Sequence, residues 1–253
     1  MRAWAAEITV GEPLARRLIG SQFPEVEVEP LTRLGEGWDN TVWLGTPADG
    51  FPWPWFGAPL VPGVEPLGLG EAERRGLARP FARFLRALHD EPVVDGLPDD
   101  PMGRADMAVR VPRTEASLAD LEREGLWRTP RSVAALLDEA ASLPRPEPVS
   151  VLHGDLHMRH LLVDGSGALA GVIDFGDICV GDPAVDLSLL WSLLPPAGRA
   201  DFLDEYGPLR DDQLLRARVL AINLCAILAL YGHHEGMAAV EREAFAGLAR
   251  ATP

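Results

Sequence analysis

Three side chains in one short stretch are of the types that phosphate chemistry requires. Asp155, His160 and Asp174 lie within the segment HGDLHMRHLLVDGSGALAGVIDFGD, residues 153–177. One carboxylate can accept a proton from an attacking hydroxyl, and a second can help to hold a divalent metal ion on nucleotide phosphates. This division of roles predicts Asp155 as the base and Asp174 as the metal ligand.

The same stretch has the pattern of a β-hairpin. Apolar residues at 161–163 and 169–173 flank the turn sequence Asp-Gly-Ser-Gly, as in two short strands joined by a glycine-rich connection. In a hairpin, the loop before the first strand and the loop after the second strand lie at the same end. We therefore expect Asp155 and Asp174 to lie close together.

His160 is the unusual member of this group. A neutral imidazole nitrogen binds metal ions, but it is a softer ligand than oxygen and favours Mn²⁺ or Zn²⁺ over Mg²⁺. Alternatively, His160 only forms a hydrogen bond with Asp155 and leaves a single metal site. The sequence leaves both interpretations open.

A hydrolytic metal centre is a second interpretation of these residues. His153, Asp155, His157 and His160 have a spacing that also occurs in metal-dependent hydrolases. The other histidines of the chain lie in no matching motif. Hydrogen bonds from the rings of His153 and His157 to the loop backbone are the structural alternative, and the sequence favours it for these two residues.

Composition bears on several classes of function. The 253 residues include 23 basic and 38 acidic side chains, for a net charge of −15, whereas nucleic-acid binding requires a basic face. The acidic balance suits a cationic small substrate, and it also favours solubility. Two cysteines form no disulfide framework and the N-terminal residues lack a signal-peptide pattern, so we expect a cytoplasmic protein. The longest apolar run, residues 219–230, predicts a buried core helix and no membrane span.

The order of predicted elements indicates an α+β protein with two lobes. A helix is predicted at residues 11–23 and strands at 26–34 and 41–44, followed by a stretch rich in Pro, Gly and Trp at 46–70. Apolar spacing beyond Gly70 is helical. Helices are predicted at residues 71–89 (kinked or interrupted at Pro80), 114–127 (with Thr114 as the N-cap), 130–143, 197–206, 211–231 and 235–250.

These motifs resemble the aminoglycoside phosphotransferase and choline-kinase-like family, whose members are relatives of the protein kinases. The segments HGDLHMRHLL and VIDFGD resemble its catalytic and metal-binding motifs, and LGEGWDNTVWL resembles its nucleotide-covering hairpin. The resemblance covers most of the chain. It departs at position 160, where the family has a metal-binding Asn and this chain has His160.

The resemblance implies a two-lobed protein-kinase-like fold. A reduced N-terminal nucleotide-binding lobe would span residues 1–58, a hinge residues 59–70, and a mainly helical catalytic and substrate lobe residues 71–253. The implied reaction moves the γ-phosphoryl group of ATP or GTP, with Mg²⁺ or Mn²⁺, to a hydroxyl of a small molecule such as an aminoglycoside. No nucleic acid or membrane partner is expected, and the sequence does not indicate an oligomeric state.

The resemblance also assigns roles to individual residues. Asp155 matches the catalytic base, and Asp174 with His160 occupies the metal-ligand positions. Asp186, in the segment GDPAVDLS, matches an Asp that braces the catalytic loop. The nucleotide contacts that it implies are Gly35, Gly37 and Asn40.

One expected feature of such a fold is missing from the sequence. All 23 basic residues are arginines, whereas the kinase-like lobe has a Lys on its third strand that pairs with a Glu of the next helix. The Pro/Trp-rich stretch also follows Leu44 at once, where another strand, a helix and a further strand are expected. Three explanations stay open: the segment is truly missing, this sequence omits it, or an Arg replaces the Lys. A catalytically impaired, kinase-like ligand-binding module is therefore the alternative function.

Overall fold

The computed structural model describes residues 11–22, 32–36, 41–44 and 61–253 of the chain. The chain divides into two compact units, residues 1–60 and 61–253. The boundary falls within the stretch rich in Pro, Gly and Trp. The lobe limits at residues 58 and 70, and the hinge between them, stay predictions.

The first unit contains one helix and one antiparallel strand pair within its described residues. Helix α1 (Glu12–Gln22) confirms the predicted first helix. Strand β1 (Thr32–Glu36) pairs with β2 (Thr41–Leu44), and the register shifts between Arg33 and Gly35. The strand predicted at 41–44 is confirmed. The earlier one is described only from Thr32 onward, and it ends two residues later than predicted.

The second unit is mainly helical. Its long helices are α2 (Glu71–His89), α3 (Met107–Arg123), α4 (Arg131–Ala141), α6 (Pro196–Tyr206), α7 (Asp211–His234) and α8 (Ala238–Ala251), with the five-residue helix α5 (Ser188–Ser192) before α6. Short 3₁₀ turns cover 158–160, 175–177 and 183–185. Four short strands lie between α4 and α5: β3 (Ser150–Leu152), β4 (Leu161–Val163), β5 (Leu169–Val172) and β6 (Cys179–Gly181).

Two helices continue through a proline, so the predicted interruption is wrong, whereas a kink at Pro80 stays a prediction. Pro80 lies inside α2, and α2 is not interrupted there. Pro112 lies inside α3, which begins at Met107 and has Asp106 rather than Thr114 as its N-cap. A proline leaves the carbonyl four residues earlier without its N–H partner. In both helices that residue is exposed, so water can satisfy the carbonyl and the helix persists.

The core of the second unit forms around α2 and α7. Phe81 of α2 packs against Phe202 of α6 with ring centroids 5.6 Å apart, and both side chains are fully buried. Helix α7 is long and apolar enough to cross a membrane by length and composition, but 61% of its most apolar window is buried inside the protein. This burial confirms the predicted core helix. Cys179 and Cys225 are buried, free thiols.

Candidate active site

The predicted hairpin positions the candidate site. Strand β4 pairs antiparallel with β5, with Leu161 opposite Val172. The segment that contains Asp155 leads into β4, and Asp174 follows β5, so both reach the same end of the hairpin. Strands β3 and β6, which the sequence did not predict, pair on either side of this segment and hold its outer ends.

His160 joins the two predicted acidic residues. Its Nδ1 lies 2.7 Å from the backbone carbonyl oxygen of Asp155, and its Nε2 lies 3.4 Å from Oδ2 of Asp174. The His160 side chain is only 12% exposed. The structure therefore brings together all three residues predicted in this stretch, and the imidazole lies between the two segments.

Burial and negative neighbours change the proton affinity of Asp155. Burial raises the pKa of its carboxyl to about 7, the nearby charge of Asp177 adds to the increase, and Arg104 opposes it. A general base works best when its pKa lies near the operating pH. Asp155 is thus a stronger base than a solvated aspartate.

The rings of His153 and His157 bond to the loop backbone, as the structural alternative predicted. Nε2 of the fully buried His153 donates to the carbonyl oxygen of Ile173 at 2.9 Å, and its Nδ1 faces the backbone N–H of Asp155 at 3.4 Å. Nδ1 of His157 accepts the backbone N–H of Arg159 at 3.3 Å. Because both ring nitrogens of His153 are occupied, a metal centre that includes His153 has no support.

Asp186 anchors the segment that contains Asp155. Its carboxylate is fully buried. It accepts the backbone N–H groups of His153 at 2.8 Å and of Gly154 at 3.0 Å. It also accepts a hydrogen bond from Nε2–H of His89 at 3.1 Å. Nδ1 of the same His89 ring lies 2.7 Å from the hydroxyl of Tyr206. Two of the three hydrogen bonds that Asp186 accepts hold the backbone just before Asp155, which is the bracing contact that the resemblance implied for Asp186.

Asp174 has an unusual backbone conformation. Its φ of 68° and ψ of 62° lie in the left-handed region, and it is the sole non-glycine with positive φ in the described part of the chain. Such a conformation costs about 1–3 kcal/mol and tends to occur at functional positions. The following Phe175 packs its ring 4.7 Å from that of His153 and 6.3 Å from that of Phe84. These contacts fix the chain direction at Asp174.

Arg104 stabilises the acidic end of the site. Its guanidinium lies 2.8 Å from Oδ1 of Asp100 and 3.0 Å from Oδ1 of Asp177. Arg104 is 7% exposed, so this pair of contacts joins the loop before α3 to the 3₁₀ turn after Asp174. It also supplies the positive charge that limits the pKa increase at Asp155.

Gly154 lies where a side chain has no room. Its φ is +88°, and an added Cβ would collide with the carbonyl oxygen of Asp177. We expect Gly154→Ala to lower the free energy of unfolding by about 2 kcal/mol or more, because left-handed backbone strain adds to the steric conflict. Urea denaturation measures this change. Gly165→Ala is the matched control, since Gly165 lies in open space, and equal losses in both variants would contradict the close-approach account.

A divalent cation fits the side chains at Asp174. Nδ1 of His160 faces a carbonyl oxygen and so carries the proton, which leaves a lone pair on Nε2 of the neutral ring. That nitrogen and Oδ2 of Asp174 are both acceptors, 3.4 Å apart. Burial lowers the pKa of His160 and favours the neutral ring. Two acceptors that face each other are suited to share a metal ion.

The remaining residues that the sequence singles out lie in other segments of the chain than Asp155, His160 and Asp174 or outside the described residues. Gly35 lies in β1, and Gly37 and Asn40 lie outside the described residues, as does the junction at Leu44 and Gly45. His233 and His234 end helix α7, and they bond to Glu241 at 2.9 Å and Glu124 at 2.9 Å respectively. They thus form part of the C-terminal end of α7. Asp182 is buried and caps the 3₁₀ turn 183–185, where its side chain accepts the backbone N–H of Ala184 at 2.9 Å.

A match to a known family agrees with this geometry. The sequence of residues 30–219 matches the family model described as the phosphotransferase enzyme family. The chain belongs to this phosphotransferase family. It is 33% identical to the aminoglycoside 3'-phosphotransferase of Streptomyces fradiae over 174 residues, which are 63% of this chain and 63% of that relative. Viomycin phosphotransferase of Streptomyces vinaceus is 33% identical over 123 residues, 45% of this chain and 40% of the relative.

Solved structures share the fold of this phosphotransferase-family chain. The GDP complex of wild-type aminoglycoside 2'-phosphotransferase-IIIa has a TM-score of 0.62 at 18% identity, with 96% of this chain and 99% of that chain covered. The GDP and kanamycin complex of APH(2")-IIia has a TM-score of 0.59 at 19% identity, with 94% and 97% covered. The predicted two-lobed, protein-kinase-like α+β fold, with a reduced N-terminal β lobe and a mainly helical C-terminal lobe, is thereby confirmed.

Sequence reasoning missed two supporting side chains. His89 bonds to the anchor Asp186 from the end of α2, and Arg104 bonds to Asp100 and Asp177 from a loop. The spacing of apolar residues carries no information on such distant polar contacts. The only sequence feature that indicates either contact is a histidine at the C-terminal end of a predicted helix, and a histidine at that position commonly interacts with the helix dipole instead.

Proposed function

We propose that this protein transfers the γ-phosphoryl group of a nucleoside triphosphate, ATP or GTP, to a hydroxyl group of a small molecule. The supporting observation is that His160 contacts both the backbone of Asp155 and the carboxylate of Asp174. A candidate base thus lies beside a candidate metal ligand, as phosphoryl transfer requires. Family membership supports the same reaction class.

Each residue has a stated role in this proposal. The carboxylate of Asp155 accepts the proton of the acceptor hydroxyl. The oxygen of that hydroxyl bonds to the γ-phosphorus, and the bond between this phosphorus and the nucleoside diphosphate breaks. Asp174 and His160 would hold a divalent cation, which would neutralise charge on the phosphates. Asp186 keeps the segment of Asp155 in place through its bonds to the backbone.

The nucleotide and the acceptor are assigned by class. The hairpin of the first unit, with Gly35, Gly37 and Asn40, is proposed as the nucleotide-binding element of residues 1–58. The acceptor is proposed to be a small molecule held by residues 71–253, and the net charge of −15 favours a cationic one. Aminoglycosides are the first candidates, because the relatives' names include aminoglycoside and viomycin phosphotransferases. The proposed location is the cytoplasm.

An acceptor panel tests the proposal. The protein is incubated with ATP or GTP, Mg²⁺ or Mn²⁺, and aminoglycosides, other amino alcohols and sugars, and release of nucleoside diphosphate is measured. We expect release that depends on one acceptor class and on the metal. The proposal fails if the nucleotide raises the melting temperature but no acceptor stimulates diphosphate release.

That negative outcome would support a kinase-like ligand-binding module. The observation in favour of this alternative is that all 23 basic residues are arginines, so no Lys is present to contact the phosphates as in related folds. Binding without turnover on any acceptor distinguishes the module from the enzyme. Metal-dependent hydrolysis without any nucleoside triphosphate would instead indicate a His/Asp hydrolase.

A further inference from the structure

One imidazole nitrogen in the candidate site faces a carboxylate and not the backbone. His160 donates through Nδ1–H to a backbone carbonyl, so in the neutral ring the lone pair is on Nε2, which lies 3.4 Å from Oδ2 of Asp174. Possible ligand atoms of Asp155, His157 and His160 also lie within 4.8 Å of one another, in a group that does not include Asp174. Among these rings, His157 accepts a backbone N–H at Nδ1, so its Nε2 carries the hydrogen. His160 is thus the nitrogen donor of the site.

The ring of His160 is held in place before any metal binds. It lies 3.8 Å from the ring of His157, centroid to centroid, with 31° between the planes. Its Nδ1–H donates to the carbonyl oxygen of Asp155. A hydrogen bond of this kind fixes the orientation and tautomer of a metal-binding histidine and increases its basicity. The nitrogen donor is therefore preorganised toward Asp174.

A mixed nitrogen and oxygen donor set changes the choice of ion. Mg²⁺ prefers oxygen ligands and strict octahedral geometry. Imidazole ligands bind later first-row ions more tightly, with affinity that increases from Mn²⁺ to Co²⁺ and Zn²⁺. We infer that His160 makes this site selective for Mn²⁺, Co²⁺ or Zn²⁺ over Mg²⁺. The inference rests on the proposed function in one respect, namely that the pair of Asp174 and His160 is the metal site of the reaction.

Metal competition on the whole chain tests this inference. Electron paramagnetic resonance measures free and bound Mn²⁺, with and without a non-hydrolysable ATP analogue, while Mg²⁺ or Zn²⁺ is added as competitor. We expect the preference for Mn²⁺ over Mg²⁺ to fall about tenfold in His160→Asn, because an amide oxygen replaces the nitrogen donor. An unchanged preference, or no Mn²⁺ binding by the unaltered protein under either condition, would overturn the inference.

Controls separate selectivity from folding and from activity. The Asn of His160→Asn can still donate to the carbonyl of Asp155, and melting in a chelator checks that the variant is folded. His234→Asn removes an exposed histidine that also bonds to a carboxylate, and it should leave the metal preference unchanged. Phosphoryl transfer is assayed separately with saturating Mg²⁺. If transfer is absent while the metal preference still depends on His160, the proposed function fails and the inference stands.

Discussion

Asp155→Asn is expected to lower kcat by about 10²–10⁴-fold, because an amide cannot accept the proton of the acceptor hydroxyl. Nucleotide and metal binding should change little. The reason is structural: His160 bonds to the backbone carbonyl of Asp155 and not to its side chain, so the substitution leaves the position of the metal ligands intact. Steady-state kinetics and nucleotide binding by calorimetry measure both parts of this prediction.

Asp138→Asn is the matched control for this variant. Asp138 is exposed on α4, and the same change of charge should leave kcat unaltered there. If Asp155→Asn keeps the turnover of the unaltered protein, Asp155 is not the base. If it loses nucleotide binding as well, the assignment of its role to proton transfer alone is wrong.

Asp186→Asn is expected to destabilise the protein by about 3 kcal/mol or more, the cost of leaving buried N–H donors without an acceptor. The carboxylate accepts three donors, from His153, Gly154 and His89. An asparagine has one acceptor oxygen, and its NH₂ group would face another donor. Because the loop before Asp155 loses its anchor, turnover should also fall at temperatures where the variant is still folded.

Two comparisons make this second prediction specific. Urea denaturation should show little change for Asp138→Asn. Tyr206→Phe removes only the hydroxyl at the far end of the same hydrogen-bond chain, so its loss should be smaller, about 1 kcal/mol. A stability of Asp186→Asn equal to that of the unaltered protein would show that the three bonds contribute nothing net.

Local sequence patterns are sufficient to predict the β4–β5 hairpin and most helices of the second unit. The hairpin of β4 and β5 follows from two apolar runs that flank a glycine-rich turn, and its topology alone places Asp155 and Asp174 at one end. The helices of the second unit follow from apolar spacing, because each buries one face in a shared core. Position 160 stood out because a histidine replaces the amide of the family's motif.

Other features depend on contacts that the sequence does not encode locally. The start of α3 at Met107 was missed because Pro112 indicates a loop, whereas the exposed carbonyl of Ala108 tolerates the missing N–H. Strands β3 and β6 have three residues each, too few for a periodic signal. The bonds of Arg104 to Asp100 and Asp177 join parts of the chain that only the fold brings together.

The two interpretations of His160 that the sequence left open are compatible in the structure. Its Nδ1 forms the hydrogen bond with Asp155, through the backbone carbonyl, while its Nε2 stays available beside Asp174. One ring can therefore support the loop that contains the candidate base and also provide a candidate metal ligand. Under the proposed function, this arrangement couples the metal position to the position of Asp155.

Phosphorus NMR of the complete reaction shows directly whether the protein phosphorylates the acceptor. The protein is incubated with ATP or GTP, a divalent metal and the acceptor that stimulates diphosphate release. We expect a new phosphomonoester signal on the acceptor, in amounts equal to the nucleoside diphosphate, which disappears in Asp155→Asn and in Asp174→Asn. Inorganic phosphate as the sole product, or an equal phosphomonoester signal from either variant, would contradict this prediction.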